Sequence, residues 1–289
     1  MFRLKMETKL MKLGFHVSIS DGIDKSFERA QELGCETFQI FTRNPRSWKS
    51  NCFREGEAEA FKQKKAKSKL GPIFDHMPYI QNIASPNDLI YSKSIESLKI
   101  ELKRCTILDI PFMVTHLGSH LGSGSERGIS RATKAINEAL SEVKSSVIIL
   151  IENSSGSGGQ IGATFNELKQ VLDEMVEEKR VAVCLDTCHA FSYGYDLRTE
   201  NGLSETLSAF DEFVGLNQMK LIHLNDSVGE LGSKIDHHEH IGLGKIGKDG
   251  FKTILKSMLS RLPMIMETPE DGRRSDGKNM RMVRELATK

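Results

Sequence analysis

Short apolar segments alternate with longer amphipathic segments along the whole chain, and there are eight of each. The apolar segments are rich in Val, Ile, Leu and Phe and have the length of strands, whereas the amphipathic segments have helical periodicity. We predict strands at Gly14–Val17, Thr37–Phe41, Pro72–Asp75, Phe112–Thr115, Val147–Ile151, Val181–Leu185, Lys220–Leu224 and Met264–Met266. We predict helices at Lys25–Leu33, Glu55–Ser68, Lys93–Leu108, Ser130–Lys144, Asn166–Glu177, Leu203–Val214, Lys248–Leu259 and Asp276–Leu286.

Each predicted strand precedes a predicted helix, which indicates the α/β class with a parallel sheet covered on both faces. A closed (β/α)8 barrel, the TIM barrel, accounts for eight such units without an edge strand, and a doubly wound open sheet is the alternative. The 289 residues would allow two domains, but single barrels of about 250 residues are common, and no low-complexity linker divides the chain. We therefore predict a single-domain TIM barrel over residues 13–289, preceded by an N-terminal extension, residues 1–12.

Composition and termini predict a soluble, intracellular, cytoplasmic protein with no membrane partner. No apolar run approaches the ~20 residues that span a bilayer, and the first residues lack the apolar core of a signal peptide. Five cysteines, an odd number, fit free thiols in a reducing compartment. A net charge of +1 excludes a broadly basic nucleic-acid coat, although a local basic groove stays possible.

Seven of the eight residues at or just beyond the predicted strand ends are His, Asp or Glu. In chain order the eight are His16, Thr42, His76, His116, Glu152, Asp186, His223 and Glu267. In a parallel barrel these strand ends meet at one mouth. One such residue alone is more often a structural hydrogen-bonding group or a helix cap. Three inward carboxylates, however, would repel one another unless cations lie between them, so the set favours a metal site.

Two further pairs of residues strengthen the metal hypothesis. Asp186 at a strand end and His189 in the loop predicted to follow it are three residues apart, and Asp236 and His238 are two apart, which places the second pair on one side of an extended segment. Imidazole and carboxylate ligands without a dense thiolate set suit zinc or manganese. Cys184 and Cys188 have no second thiolate pair, so we expect buried cysteines that bind no metal.

Four motifs together resemble endonuclease IV, the zinc-dependent apurinic/apyrimidinic endonucleases of AP endonuclease family 2. They are TRNPRSW at 42–48, CLDTCHA at 184–190, HLNDS at 223–227 and DHHEHIG at 236–242. The resemblance extends from Gly14 to about Leu286. It implies a (β/α)8 barrel that holds three zinc ions, and a DNA-repair enzyme of base excision repair that incises duplex DNA on the 5′ side of abasic sites.

The resemblance also implies a role for individual residues. One zinc would be held by His76, His116 and Glu152, a second by Glu152, Asp186, His223 and Glu267, and a third by His189, Asp236 and His238. Manganese could occupy one position. Glu152 would bridge two ions and be the catalytic residue, and His16 would support the ligands without being one. DNA-binding residues would be Arg46, Tyr79 and Ile80. Three positions depart from the family pattern, namely Leu117, Val228 and His237.

We therefore predict a monomeric phosphodiester hydrolase with a metal-bridging hydroxide as nucleophile, leaving 3′-hydroxyl and 5′-deoxyribose phosphate ends. The alternative is a sugar isomerase or epimerase of the related barrel superfamily, with one metal held by Glu152, Asp186, His223 and Glu267. Such an enzyme would not need the other five predicted ligands. A non-catalytic DNA-binding relative is a third hypothesis, and the intact ligand set argues against it.

Overall fold

Eight parallel strands form one sheet that curves into an almost closed barrel in the computed structural model, which describes residues 11–288. The strands are β1 Leu13–Phe15, β2 Phe38–Ile40, β3 Ile73–His76, β4 Phe112–His116, β5 Ile148–Glu152, β6 Val181–Asp186, β7 Met219–His223 and β8 Met264–Met266. Their order is β1-β8-β7-β6-β5-β4-β3-β2. Between the two ends of the sheet, the Val17 N–H donates to the Gln39 carbonyl at 2.8 Å, and His16 forms a parallel bridge with Gln39. The TIM-barrel prediction is confirmed, and the open-sheet alternative is wrong.

At least one helix follows each strand and covers the outside of the barrel. The helices are α1 Ser26–Glu32, α2 Glu57–Lys67, α3 Asp88–Leu108, α4 Ser125–Glu142, α5 Phe165–Asp173, α6 Thr187–Tyr193, α7 Glu200–Phe213, α8 Gly247–Lys256 and α9 Asp276–Thr288. Helix α3 begins five residues before the predicted start because the Asn87 side chain accepts the Ile90 N–H at 3.1 Å and caps it. Helix α5 ends four residues earlier than predicted.

Helix α6 was not predicted, since we expected its residues to form a loop. The Asp186 side chain accepts the His189 N–H at 2.8 Å and caps the helix directly after β6. At the other end, Gly194 has φ of 135°, a backbone conformation that favours glycine, and the helix stops there. The expectation that His189 lies in a loop is therefore wrong, because it lies in the first turn of this short helix.

The alternation of side chains along the strands determines what faces the mouth of the barrel. A small apolar cluster fills the barrel interior; it consists of Phe74, Val114, Leu150, Ala182, Cys184, Leu221 and Ile265. Side chains two positions apart on a strand share a face. Six of these seven interior residues lie two positions before His76, His116, Glu152, Asp186, His223 and Glu267. The same register that packs the interior therefore turns these six side chains into the mouth.

The predicted N-terminal extension lies outside the described residues except for Met11 and Lys12. The Lys12 carbonyl accepts the Met264 N–H at 2.8 Å, which adds one bond to the pairing of β1 with β8. Among residues 11–288, no helix has the length and apolar character needed to cross a membrane.

Candidate metal centre

Nine His, Asp and Glu side chains converge at the mouth of the barrel in three groups. Within each group, one potential ligand atom per residue lies within 4.8 Å of the others. The groups are His76, His116 and Glu152; Glu152, Asp186, His223 and Glu267; and His189, Asp236 and His238. These are the residue sets that the family resemblance implies. A fourth group, Asp186, Cys188 and His238, overlaps two of them.

Glu152 lies at the centre of the cluster and is 1% exposed. Its Oε1 is 2.9 Å from His223 Nδ1, and its Oε2 is 3.3 Å from His76 Nε2 and 3.5 Å from His116 Nε2. Burial raises the pKa of the Glu152 carboxyl, but the charges of His116 and His223 outweigh burial and hold that pKa well below its usual range. The ionised carboxylate is thus shared between two of the groups.

Four of the five histidines give one ring nitrogen to a protein oxygen and turn the other toward the cluster. The first nitrogens are His76 Nδ1 to the Met77 carbonyl (2.7 Å), His189 Nδ1 to the Asn153 carbonyl (3.0 Å), His238 Nδ1 to the Glu267 carbonyl (3.1 Å) and His223 Nε2 to Gln39 Oε1 (2.9 Å). Such bonds select the tautomer whose free nitrogen can bind a metal. The imidazoles are therefore oriented by the protein before any ligand arrives.

Two asparagines orient the acidic residues. Asn225 of the HLNDS motif donates from Nδ2 to Asp186 at 2.7 Å, and its Oδ1 accepts the Glu267 N–H at 2.8 Å. Asn153, which follows Glu152, accepts the Asp186 N–H at 2.6 Å. Asn225 thus orients the Asp186 carboxylate directly, and the two amides together connect the ends of β5, β6 and β8 that carry Glu152, Asp186 and Glu267.

The loop after β7 brings Asp236 and His238 to the cluster. Ser227 pairs with His238 in a two-residue antiparallel ribbon, and the Asp226 carboxylate accepts the N–H groups of Gly242 and Gly244 at 2.8 and 2.9 Å. Asp236 then lies 2.9 Å from His189. Burial raises the pKa of Asp236, but the hydrogen bond and charge of His189, together with a hydrogen bond from Gln160, outweigh burial and lower that pKa well below its usual range.

An unpartnered buried nitrogen shows that the cluster is not satisfied by protein groups alone. Among residues 11–288, His238 Nε2 has no hydrogen-bond partner, and its nearest carboxylate oxygen, on Asp186, is 3.6 Å away. A buried polar atom without a partner costs free energy unless something binds it. Imidazole nitrogens and carboxylate oxygens are suitable ligands for zinc or manganese, so the donor set fits such ions.

The two cysteines near the cluster keep their protons. Cys184 lies inside the barrel, and the Cys188 thiol donates to the His237 carbonyl at 3.6 Å. Burial raises the pKa of each of these thiols to about 12. The expected burial of both cysteines is confirmed, whereas the absence of metal binding stays a prediction because Cys188 belongs to the fourth group.

The predicted DNA-binding residues lie in two loops at the mouth, the β2 loop (residues 41–56) and the β3 loop (residues 77–87). Arg46 is exposed, and it has no ion pair within the described part of the chain. Tyr79 is 61% exposed and packs edge-on against Phe41, with ring centroids 5.0 Å apart. Ile80 is half-buried in the turn beside it. Tyr79 also lines a cavity of about 500 Å³ together with His76, His116, His189, Asp236 and Glu267.

Gln39 on β2 belongs to the site but was not among the predicted residues. Its side chain is fully buried; Oε1 accepts from His223, while Nε2 donates to Glu267 Oε1 at 2.7 Å and to His16 Nδ1 at 3.0 Å. The signal available in the sequence is one amide inside an otherwise apolar strand, since such a group must find partners when buried. His16 lies next to the cluster, as expected for a supporting residue.

Comparison with known proteins places the chain in a family. A family model described as a xylose isomerase-like TIM barrel matches residues 27–286. The protein named probable endonuclease 4 from Methanoculleus marisnigri is 48% identical over 280 residues, which cover 96% of this chain and 99% of that protein. The crystal structure of endonuclease IV from Thermus thermophilus has a TM-score of 0.84 and 36% identity, covering 96% and 99% of the two chains.

A further structural match bears on the isomerase alternative. A D-tagatose 3-epimerase-like protein has a TM-score of 0.71 and covers 96% of this chain and 97% of its own, but the identity is only 17%. That likeness concerns the fold alone. The endonuclease matches combine high identity with nearly full coverage. The chain therefore belongs to the endonuclease IV family, and it is an endonuclease.

Proposed function

We propose that this protein hydrolyses the DNA phosphodiester bond on the 5′ side of an abasic site, leaving a 3′-hydroxyl and a 5′-deoxyribose phosphate. The observation that carries the proposal is the convergence of nine ligand-type side chains in three groups at one mouth. A monomer has all of these residues in one chain, so we propose that it acts as a monomer on duplex DNA.

Three zinc ions would be held by the three groups, and manganese could replace zinc at one of them. His116 in the first group is the most exposed of the nine side chains, at 36%. When bound, such ions supply a nucleophilic water at neutral pH and offset the negative charge of the phosphate.

Glu152 is the proposed catalytic residue because its two oxygens face different imidazoles. Its depressed pKa keeps it ionised, so it can accept a hydrogen bond from the attacking water and orient that water toward phosphorus. No Lys, Ser or Cys nucleophile is needed, and hydrolysis therefore requires no covalent enzyme–DNA intermediate.

Recognition of the abasic nucleotide is assigned to Arg46, Tyr79 and Ile80. A nucleotide without a base has lost its stacking, so its extrusion from the helix costs less than that of an intact nucleotide. Tyr79 and Ile80 offer an exposed aromatic ring and an aliphatic side chain that can fill the gap, in the way that apolar wedges enter distorted DNA. The Arg46 guanidinium, which has no ion pair among residues 11–288, can contact phosphate.

The isomerase alternative would use Glu152, Asp186, His223 and Glu267 with one metal. It leaves the other five clustered residues without a function, although their burial and orientation cost free energy. The presence of these five additional ligand-type residues therefore favours the endonuclease.

One experiment tests the proposal. Purified protein is incubated with a duplex that contains a single tetrahydrofuran site, with and without a chelator, and its metal content is measured. We expect chelator-sensitive incision 5′ of the site, ends with a 3′-hydroxyl, and about three metal ions per chain. An intact duplex is the control substrate. Epimerisation of a ketohexose without incision would overturn the proposal, as would a borohydride-trapped enzyme–DNA adduct as the main product.

A further inference from the structure

Helix α3 carries a row of buried polar residues beside its row of buried apolar residues. Ser94, Ser97, Glu101 and Arg104 have spacings of three, four and three residues, and none is more than 8% exposed. We name these four residues the α3 stripe. A helix normally turns its apolar side to the core, and buried charges cost free energy unless they are paired. The partners of the α3 stripe therefore indicate its role.

Glu101 binds the start of the β2 loop. Its carboxylate accepts from the Thr42 hydroxyl and from Nε of Arg43. Arg43 is itself 6% exposed, and its Nη1 donates to the Ser47 carbonyl at 2.7 Å. Glu101 thus orients Arg43, and Arg43 binds the β2 loop at Ser47, beyond Arg46 in the chain.

Arg104 binds the same loop at two further points. Its Nε donates to the Thr42 hydroxyl at 2.9 Å, and its Nη1 donates to the Asn51 carbonyl at 2.9 Å. The guanidinium also lies over the Phe53 ring, 3.9 Å from its centroid. The β2 loop is therefore attached to α3 on both sides of residues 44–50, the segment that carries the exposed Arg46.

The two serines of the α3 stripe bind the β3 loop. The Ser94 hydroxyl accepts the Asn82 N–H at 2.9 Å, and the Ser97 hydroxyl contacts the Gln81 amide. The oxygen of the Gln81 amide faces the Ser97 hydroxyl and the Arg43 guanidinium, and it accepts from Arg43 Nη2 at 2.9 Å. The amide nitrogen donates to the Pro78 carbonyl at 3.1 Å. Arg43 therefore connects the loop that carries Arg46 with the loop that carries Tyr79.

We propose that the α3 stripe sets the positions of the β2 and β3 loops relative to each other and so determines how they engage a damaged duplex. This inference rests on the proposed function for its DNA component. Ser94, Ser97, Glu101 and Arg104 are positioning residues, since they lie behind the loops and act through Arg43 and the loop backbone. The planar guanidinium of Arg104 is suited to this because it binds several oxygens in fixed directions.

The substitution Arg104→Met tests the proposal: it removes the bonds of Arg104 and one buried positive charge, while Glu101 remains paired with Arg43. We expect trypsin to cleave the β2 loop after Lys49 and Arg54 about tenfold faster than in the wild type, since local opening governs proteolysis. On the abasic duplex we expect KM to rise about tenfold while kcat changes less than twofold, because binding geometry is lost and not the chemical step.

Lys99→Met on the same helix is the matched control. Lys99 is 5% exposed and donates to Glu96, Glu138 and Glu142 at 2.9 Å each, with no contact to either loop within residues 11–288. We expect unchanged loop cleavage and unchanged KM. Arg104→Lys keeps the charge but not the planar fork, so it should retain the unfolding temperature and still lose loop protection.

Each outcome decides the proposal. Unchanged trypsin cleavage in Arg104→Met would overturn it, and so would faster cleavage with an unchanged KM, since the loop would then be anchored without a role in recognition. If the wild type neither binds nor incises the abasic duplex, the proposed function fails. Loop cleavage still decides in that case whether the α3 stripe anchors the β2 loop.

Discussion

Oε1 of Gln39 accepts a hydrogen bond from Nε2 of His223 at 2.9 Å, across the centre of the barrel mouth. The bond leaves Nδ1 of His223 as the nitrogen that faces Glu152 and Glu267. The same amide donates to Glu267 Oε1 at 2.7 Å, so one side chain orients two of the proposed metal ligands. Gln39 also lies at the β1–β2 closure, where its carbonyl accepts from Val17. Barrel closure and ligand orientation thus meet at one residue.

The first prediction concerns Gln39→Met, which removes both hydrogen bonds at nearly constant volume. We expect the affinity for zinc at the affected group to fall by about 10- to 100-fold, as for other residues that orient metal ligands. Zinc titration of the metal-free protein measures it. Gln31→Met, at an exposed position on α1, is the control. Equal zinc affinity in the two variants would contradict a role for Gln39 in orienting the ligands.

The second prediction concerns Glu152→Gln. The amide keeps the size of the side chain but removes the charge that two groups share, so we expect kcat to fall by at least about 10³-fold. Binding of the abasic duplex should change much less, because Arg46 and Tyr79 are untouched. Single-turnover incision and a binding assay separate the two effects. Glu174→Gln, exposed near the end of α5, is the control. Substantial activity in Glu152→Gln would remove Glu152 from the mechanism.

The third prediction compares two adjacent histidines. His238→Ala removes a residue from the third group, so we expect the metal content to fall from about three ions to about two per chain. His237→Ala changes an exposed neighbour outside all four groups and should keep the full content. Elemental analysis after gel filtration measures both. If one ion per chain is found in the wild type and in both variants, the single-metal alternative gains support.

Much of this site follows from the sequence because the strand period is two. An apolar residue that packs inside the barrel places the residue two positions later in the mouth, so Leu150 predicts the direction of Glu152, and Leu221 that of His223. Pattern and length together then suffice for the barrel and for the residues at its strand ends.

Other features lacked a local signal. Helix α6 forms because Asp186 caps it. In the sequence the same residue suggests a metal ligand, and that interpretation hides its role as a cap. Gln39 is a single amide with no periodic partner. Glu101 and Arg104 lie in a predicted helix and carry no local sign of burial. They are buried because the β2 loop, about 60 residues earlier in the chain, folds against them. These features depend on contacts between segments that are distant in the chain, and the periodicity of the sequence does not reveal such contacts.

The fourth prediction concerns Arg46→Ala. Arg46 is an exposed cation without an ion pair within the described residues, and we propose that it contacts phosphate, so its loss should raise KM about tenfold and reduce the salt dependence of binding. Steady-state kinetics at two salt concentrations measure this. Arg54→Ala in the same loop is the control, because Arg54 is 79% exposed beside Glu57. An equal rise in KM for both variants would indicate a general charge effect.

The fifth prediction tests which of two overlapping groups binds a metal ion: His189, Asp236 and His238, or Asp186, Cys188 and His238. The Cys188 thiol already donates to the His237 carbonyl, and His189 and Asp236 offer His238 a ligand set without a thiol. We therefore expect Cys188→Ala to keep the metal content and at least half of the activity, unlike His189→Ala. In the native protein at pH 8, iodoacetamide should label about one thiol per chain, Cys52, which is exposed while the other four cysteines are buried.

Full labelling in denaturant is the control for that count. The sign of the pH dependence follows from the direction of the pKa shifts: burial raises the pKa of all four buried thiols, so their labelling should not increase between pH 7 and pH 9. Loss of metal in Cys188→Ala would instead assign the ion to the group of Asp186, Cys188 and His238. Cys188 and His189 are adjacent in α6, and the choice is decidable because each substitution removes a member of only one of the two groups.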